Sequence, residues 1–409
     1  MEKAVLITVD IKGKRGWLAE DRAAELRELV RSSGVSVEHE IICHREKVTP
    51  DLFIGKGKFC ELVSISTEKK VNAVIFNNDL TPTQLRNLEK ALEGIKVLDR
   101  TQLILDIFSQ HARSSEGKIQ VELAQMEYLL PRLTGKGIEL SRLGGGIGTR
   151  GPGEKILEYD RRKIRHRISR LKVELKDLER RRLALRKRRK DSMLSTVAIV
   201  GYTNAGKTTL LNRLTDSKML AADKLFSTLD PVARSFVLPN GLKILFHDTV
   251  GFLYDLPHHL VESFKATLEE ISSADILIHV LDASNPRAPE LNEAVHTVLK
   301  ELGAEKKIMI NVLNKIDLVD NEVYLNKTKK GFDSAIAASA LRGEGIDLIV
   351  DKVSEILSGL VMEIKIEIPN SRMDKVNLIY EKGKVKYRED RSDSVYIEAI
   401  VPVRLKSLL

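Results

Sequence analysis

The sequence predicts an α/β protein of more than one domain, and three observations predict it. Short apolar runs alternate with helical stretches over roughly the first hundred residues. Two apolar seams, with spacings of three and four, flank a glycine-rich link. Beyond them, a buried-strand pattern at Thr196–Val200 runs straight into a glycine-rich loop and then a helical stretch through Leu214. At 409 residues the chain is too long for one ordinary core, so two or three domains are expected.

The composition narrows the class. A hydrophobic share of 43 % with mixed charges suits a soluble globular chain, and a net charge of +9 points mildly toward an anionic partner. The two cysteines, Cys43 and Cys60, follow no ligand-like spacing, which argues against a zinc cluster and suits a reducing compartment. The first apolar run stops at Asp10, too short for a signal peptide. No apolar stretch reaches the ~18 residues of a membrane span. The expected location is the cytoplasm, with partial association with a membrane surface as the alternative, and a monomer is expected.

Residues 1–112 read as a parallel α/β domain. Strands are expected at Ala4–Val9, Val35–Ile42, Val71–Phe76 and Ile95–Leu98, with helices at Ala19–Ser32, Lys58–Thr67 and Thr81–Leu92. Thr81 before Pro82 is a natural helix cap. The Gly55–Lys58 run reads as a lysine-flanked turn rather than a phosphate contact.

Residues 113–192 read as an antiparallel helical hairpin. One seam is Ile119, Leu123, Met126, Leu130 and Leu133; the other is Ile164, Ile168, Leu171, Leu175, Leu178 and Leu185, interrupted at Arg182. Between Arg161 and Lys190 stand 16 Lys/Arg against 3 Asp/Glu, so this stretch carries more positive charge than the whole chain. Charge so concentrated beside an apolar seam favours contact with nucleic acid over a merely solvated face. The link Leu143–Glu154 contains a literal Gly-x-Gly-x-x-Gly from Gly146 to Gly151. No strand leads into it and no strand-borne acid follows, so it is not a dinucleotide fingerprint. Its bare backbone, bracketed by Arg142 and Arg150, suits close approach to phosphates.

Residues 193–360 carry the chemistry. Gly201, Tyr202, Thr203, Asn204, Ala205, Gly206, Lys207 and Thr208 form a phosphate loop between strand and helix, followed by Thr209. Glycines let backbone N–H groups turn inward, Lys207 reaches the β- and γ-phosphates, and the Thr208 hydroxyl is a Mg²⁺ ligand. The strand Leu242–Phe246 leads to Asp248-Thr249-Val250-Gly251, where Asp248 holds Mg²⁺ through water and the Gly251 N–H lies against the γ-phosphate. The strand Lys307–Val312 leads to Asn314, Lys315 and Asp317. Asp317 can accept two hydrogen bonds from guanine, a pattern adenine lacks. Ser339, Ala340 and Leu341 then offer a backbone N–H to guanine O6. The substrate is therefore GTP, with Mg²⁺, and the expected products are GDP and phosphate. Phe226 and Thr228 lie where a mobile switch belongs. Thr228 is the choice for a second Mg²⁺ ligand, with Thr209, Ser227 and Thr249 as rivals; Lys207, Thr228 and Gly251 form the expected catalytic set. The domain is thus expected to be a Ras-like P-loop fold.

One departure bears on mechanism. Ras-like enzymes place a water-orienting glutamine after the Asp-Thr-Val-Gly string, and here Phe252 stands there. Slow intrinsic hydrolysis, accelerated by a partner, is expected. In related GTPases an Asn at the Asn204 position holds a K⁺ ion in place of an arginine finger; with or without K⁺ both stay open.

Nearly the whole chain resembles the HflX family of ribosome-associated GTPases. The resemblance is carried by Asp99–Phe108, Glu116–Gln125, Tyr128–Leu133, the Gly144–Glu154 link and Leu157–Arg162. Gly153–Glu158 departs slightly from the family string, and a hydrophobic residue at Phe252 is normal for it. The resemblance implies that the hairpin and its tip insert near the peptidyl-transferase region of the large ribosomal subunit. It implies that the GTP form splits stalled or idle ribosomes, with the subunit stimulating hydrolysis. Family members have been associated with ATP use by the N-terminal domain, which has no P-loop here. The rival readings are a signalling switch with a protein effector, and an RNA chaperone that uses GTP as a timer. Residues 361–409 read as a small α+β domain, with strands at Val361–Ile368, Val385–Tyr387 and Val395–Val401 and a helix around Asn370–Tyr380.

Overall fold

The computed structural model describes residues 2–13, 16–133, 152–191, 194–215, 226, 232–253, 265–332, 334–359, 361–403 and 405. The chain forms two compact units: Met1–Leu178 with Asp223–Leu229 and Pro257–Ser263, and Glu179–Ala222 with Asp230–Leu256 and Phe264–Leu409.

The first unit begins as an α/β layer. Strands β1 (Lys3–Ile11), β2 (Ser36–Arg45), β3 (Ala73–Phe76) and β4 (Lys96–Asp99) form a wholly parallel sheet in the order β2-β1-β3-β4. The connecting helices are α1 (Ala19–Ser32), α2 (Lys56–Glu68) and α3 (Pro82–Ala91). Central β1 and β3 are near-continuous apolar runs because both faces of a parallel sheet are covered. Helix α3 starts where Thr81 and Gln84 satisfy each other's backbone N–H groups as a capping box, with Pro82 at the first turn. Leu26, Leu29 and Val30 bury one face of α1, while Arg22 pairs with Asp10 at 2.6 Å.

Helices α4 (Arg100–His111) and α5 (Ser115–Arg132) follow, capped by the Asp99 and Ser114 side chains. Arg100 pairs with Glu25 of α1 at 2.6 Å, both buried. Helix α6 (Pro152–Asp191) is 40 residues long and contributes to both units. Two ion pairs join it to α5: Arg167 with Glu122 at 2.6 Å, and Lys172 with Glu127 at 2.8 Å. Residue numbers rise together in these pairs, whereas an antiparallel seam pairs rising numbers with falling ones. These contacts therefore do not show the antiparallel register that the seams suggest. Apolar spacing says that two helices pack; it does not say in which direction. A link of roughly twenty residues can span ~60 Å and permits either. The face of α5 buried most deeply is Gln120, Val121, Ala124 and Tyr128, with Leu123, rather than the expected seam as a whole.

The second unit holds a six-stranded sheet in the order β10-β9-β8-β5-β7-β6. Its strands are β5 (Ser195–Gly201), β6 (Val232–Val237), β7 (Lys243–Asp248), β8 (Ile276–Asp282), β9 (Ile308–Asn314) and β10 (Ile336–Ala337). All pairings are parallel except β6 with β7. Helices α7 (Lys207–Thr215), α8 (Lys265–Ser273), α9 (Ala288–Glu301), α10 (Glu322–Lys330) and α11 (Ile346–Ser358) complete this layer. Strand β5 lies between β7 and β8, so consecutive strands leave it on opposite sides and a crevice opens at its carboxyl end. A three-stranded antiparallel sheet, β11 (Val361–Pro369), β13 (Ser394–Pro402) and β12 (Lys384–Asp390), follows with helix α12 (Met373–Lys382) on one face. The expected α+β tail is this element, with Ile368, Val376, Ile379, Ile397 and Val401 in its own core.

Candidate nucleotide site

The site is built at the carboxyl ends of β5, β7 and β9, where sequence and topology place three loops together. Strand β5 ends at Gly201, and the loop that follows turns into α7 at Lys207. Non-glycine Asn204 adopts a left-handed φ of 61° and is exposed, while Ala205 is buried. Gly206, at φ 94°, has its missing Cβ position occupied by the Asn314 side-chain amide, so no larger residue fits there.

The loop after β7 is stitched to the phosphate loop by its backbone. Thr203 N donates to Phe252 O at 2.8 Å, and Phe252 N donates to Gly201 O at 3.1 Å. The Thr249 hydroxyl donates to Ile199 O at 2.7 Å; this rival metal hydroxyl is engaged on β5. Phe252 is buried, so its ring packs in the core rather than facing an attacking water.

Lys207 lies inside this frame, 7 % exposed, and its ammonium donates to Tyr202 O at 2.7 Å. Burial lowers its pKa to about 8, partly offset by Asp248. The Thr208 hydroxyl donates to Asp248 Oδ2 at 2.7 Å, with both residues buried. A hydroxyl and a carboxylate held together in this way are the hard oxygen set that Mg²⁺ prefers.

The residues expected to recognise the base are organised around Asn314, buried at the end of β9. Its Nδ2 donates to Ala205 O at 2.8 Å, and its Oδ1 accepts from Ala340 N at 2.9 Å. The Ser339 hydroxyl donates to Asp317 Oδ1 at 2.5 Å, and Arg342 N donates back to the Ser339 hydroxyl at 3.1 Å. Leu341 is exposed, and its carbonyl accepts from Arg213 of α7 at 3.0 Å. Lys315, at a left-handed φ of 62°, pairs with Asp282 of β8 at 2.8 Å.

The structure thus brings Gly201–Thr209, Asp248, Gly251, Asn314, Lys315, Asp317 and Ser339–Leu341 to one region. Thr228 and Ser227 lie outside the described residues. Phe226 is in the first unit, buried, with its ring edge-to-face on Phe108 at 4.5 Å between centroids. Sequence reasoning missed Asp282 and Arg213. Asp282 ends the apolar run Ile276–Leu281, and an acid at a strand's carboxyl end in this topology is the signal that could have found it.

A buried lysine in a glycine loop, a Thr–Asp pair beside it and an Asn-Lys-x-Asp base site define a P-loop GTPase. Comparison with known proteins gives the finer assignment. Residues 196–315 match the model of a 50S ribosome-binding GTPase; 20–109 and 111–189 match the N-terminal and middle regions of a GTP-binding GTPase; 324–405 match the HflX C-terminal domain. The GTPase HflX of Lacrimispora saccharolytica is 45 % identical over 404 residues, covering 99 % of this chain and 94 % of that protein. That of Escherichia coli is 42 % identical over 346 residues, covering 84 % and 81 %. The SsGBP–GDP complex aligns at 26 % identity over 88 % of this chain and 99 % of that one, with a TM-score of 0.49. The chain belongs to the HflX family of GTPases.

Proposed function

We propose that this GTPase acts on the large ribosomal subunit, binding ribosomal RNA through α6 and using GTP hydrolysis to split or rescue stalled or idle ribosomes. The observation that carries the reading is the charge of α6, 16 Lys/Arg against 3 Asp/Glu between Arg161 and Lys190. Arg162, Arg165, Arg170 and Lys176 on it are exposed. Such a surface releases counterions when it meets a phosphate backbone, so binding should weaken steeply with salt. The family description over residues 196–315 supports the same partner.

In this reading the phosphates lie along the Gly201–Thr208 loop, with Lys207 on the β- and γ-phosphates. Thr208, and Asp248 through water, would hold Mg²⁺ with Thr228 as a further ligand, and the ion would neutralise charge on the phosphate oxygens. Gly251 N–H donates to the γ-phosphate. Asp317 reads the guanine edge and Ala340 N the O6 atom. With Phe252 where a water-orienting glutamine would stand, the attacking water is ordered from outside the chain, so basal hydrolysis is slow. In this reading Asn204 holds K⁺ in place of an arginine finger; equal rates in potassium and sodium buffers would remove that role. The protein works as a cytoplasmic monomer.

The deciding measurement is GTP hydrolysis with and without large ribosomal subunits, on the intact chain and on a variant with residues 144–153 replaced by a short neutral linker. Stimulation of the intact chain that vanishes in the variant supports the reading. No stimulation of the intact chain leaves a GTPase with another partner, and favours a signalling switch.

A further inference from the structure

Arg182 is the residue that interrupts the apolar seam of α6, and its setting separates it from the other cations there. Its side chain is 13 % exposed, and Nη2 donates to Glu269 Oε2 of α8 at 3.2 Å. Arg162, Arg165, Arg170, Arg180 and Arg181 are exposed by contrast. The interruption is therefore an inward contact and not part of the solvated basic surface.

Helix α8 is anchored by buried Leu268 and Ile271. Adjacent residues on a helix point about 100° apart, so Glu269 and Glu270 address different neighbours. Glu270 is buried and lies 3.8 Å from Nδ1 of His247, itself buried on β7. His247 immediately precedes Asp248, which holds the Thr208 hydroxyl. One turn of α8 thus touches the helix that carries the basic surface and the strand that carries the magnesium-site acid. Every member of this series lies in the second unit.

We propose that the Arg182–Glu269 ion pair is the joint through which RNA engaged by α6 acts on hydrolysis, with α8 passing the displacement by Glu270 and His247 to Asp248. Arg182 is a positioning residue, not an RNA contact. The inference rests on the ribosome reading given above. A half-buried, charge-assisted pair is suited to such a role because it is directional, and a shift of α6 cannot leave it unchanged without moving α8. In the absence of RNA it bears no load, so basal turnover does not depend on it.

The test uses the full chain and four measurements: basal GTP hydrolysis, hydrolysis with saturating large subunits, subunit affinity and GDP affinity. The variants are Arg182→Met, the isosteric Glu269→Gln, and the charge swap Arg182→Glu with Glu269→Arg. Each single variant should keep basal rate, GDP affinity and subunit affinity within about two-fold, and lose at least about ten-fold of the stimulated rate. The swap should recover most of that loss. Glu269→Gln keeps the shape of the site, so the test survives if Arg182→Met folds poorly. Full stimulation in both single variants overturns the joint. So does a loss that tracks weaker subunit binding, because Arg182 would then be an RNA contact. A swap no better than the single variants also overturns it. Failure of the unaltered chain to be stimulated at all overturns the ribosome reading, and the joint with it.

Discussion

The Tyr128 hydroxyl donates to Asp99 Oδ1 at 2.7 Å, both residues buried, and this bond ties α5 to the last residue of β4. Around it, Gln102 N donates to the same oxygen at 2.9 Å, while Leu80 N at 3.2 Å and Arg132 at 3.0 Å donate to the other. The Arg132 guanidinium lies over the Tyr128 ring at 3.4 Å. Burial pushes the Asp99 carboxyl up, and these donors hold it back. Tyr128→Phe removes one donor from a buried carboxylate and should cost about 1.5–3 kcal/mol. Urea unfolding of the full chain would measure it; an unchanged midpoint would make the bond incidental.

Asp317 accepts only from Ser339 among the hydrogen bonds described, so in the proposed reading its second oxygen is left for the guanine edge. Asp317→Asn should weaken GDP binding by about ten-fold or more, since a donor is then left facing a donor. Xanthosine nucleotides should bind better than guanosine ones. Titration with fluorescent analogues of both bases decides it.

A Cβ on Gly251 would stand 2.8 Å from Lys207 Nζ and 2.8 Å from Thr203 Cα. Gly251→Ala must therefore displace the lysine and loosen the N–H assigned to the γ-phosphate. Stimulated kcat should fall by about 10²-fold, the usual scale for one lost donor at developing charge. Single-turnover hydrolysis with GDP affinity measured in parallel separates this from general damage, because GDP binding should change far less.

His279 sits at the centre of β8, fully buried. Burial, then His296 of α9 at 5.9 Å between ring centroids, lowers its pKa from 6.5 to about 3; Asn311 opposes the shift and Lys207 adds to it. The unfolded chain therefore takes up this proton first. Stability should fall as pH drops through the window from about 6.5 toward about 3, by an amount on the order of a few kcal/mol in all. His279→Leu should flatten that part of a stability–pH curve measured by urea unfolding; an equally steep curve in the variant assigns the loss to other groups.

The elements legible in the sequence are those whose signal is local. The strand at Lys3–Ile11 is an apolar run bounded by polar residues, and α3 announces itself through Thr81, Pro82 and Gln84. The phosphate loop, Asp248 and Asn314–Asp317 are readable because each sits at a strand end in a fixed order. Helix α4 escapes notice because Leu103, Ile104, Leu105, Ile107 and Phe108 are all buried, and an all-round apolar helix shows no stripe. The partners Arg213 and Glu269 are invisible for another reason: each acts across the chain on a distant residue, and no spacing rule encodes such a contact. The register of α5 against α6 does not follow from its seams because packing direction is set by the tertiary path.

The Asn314 side chain joins Ala205 O across 109 residues of sequence, and it fills the space beside Gly206 that any side chain there would need. For variation, these two positions are one unit. A substitution at 206 evicts the amide that holds the base loop, and a larger residue at 314 strikes the phosphate loop from the other side. In a deep mutational scan the two should tolerate almost nothing singly, and any allowed change should come as a matched pair.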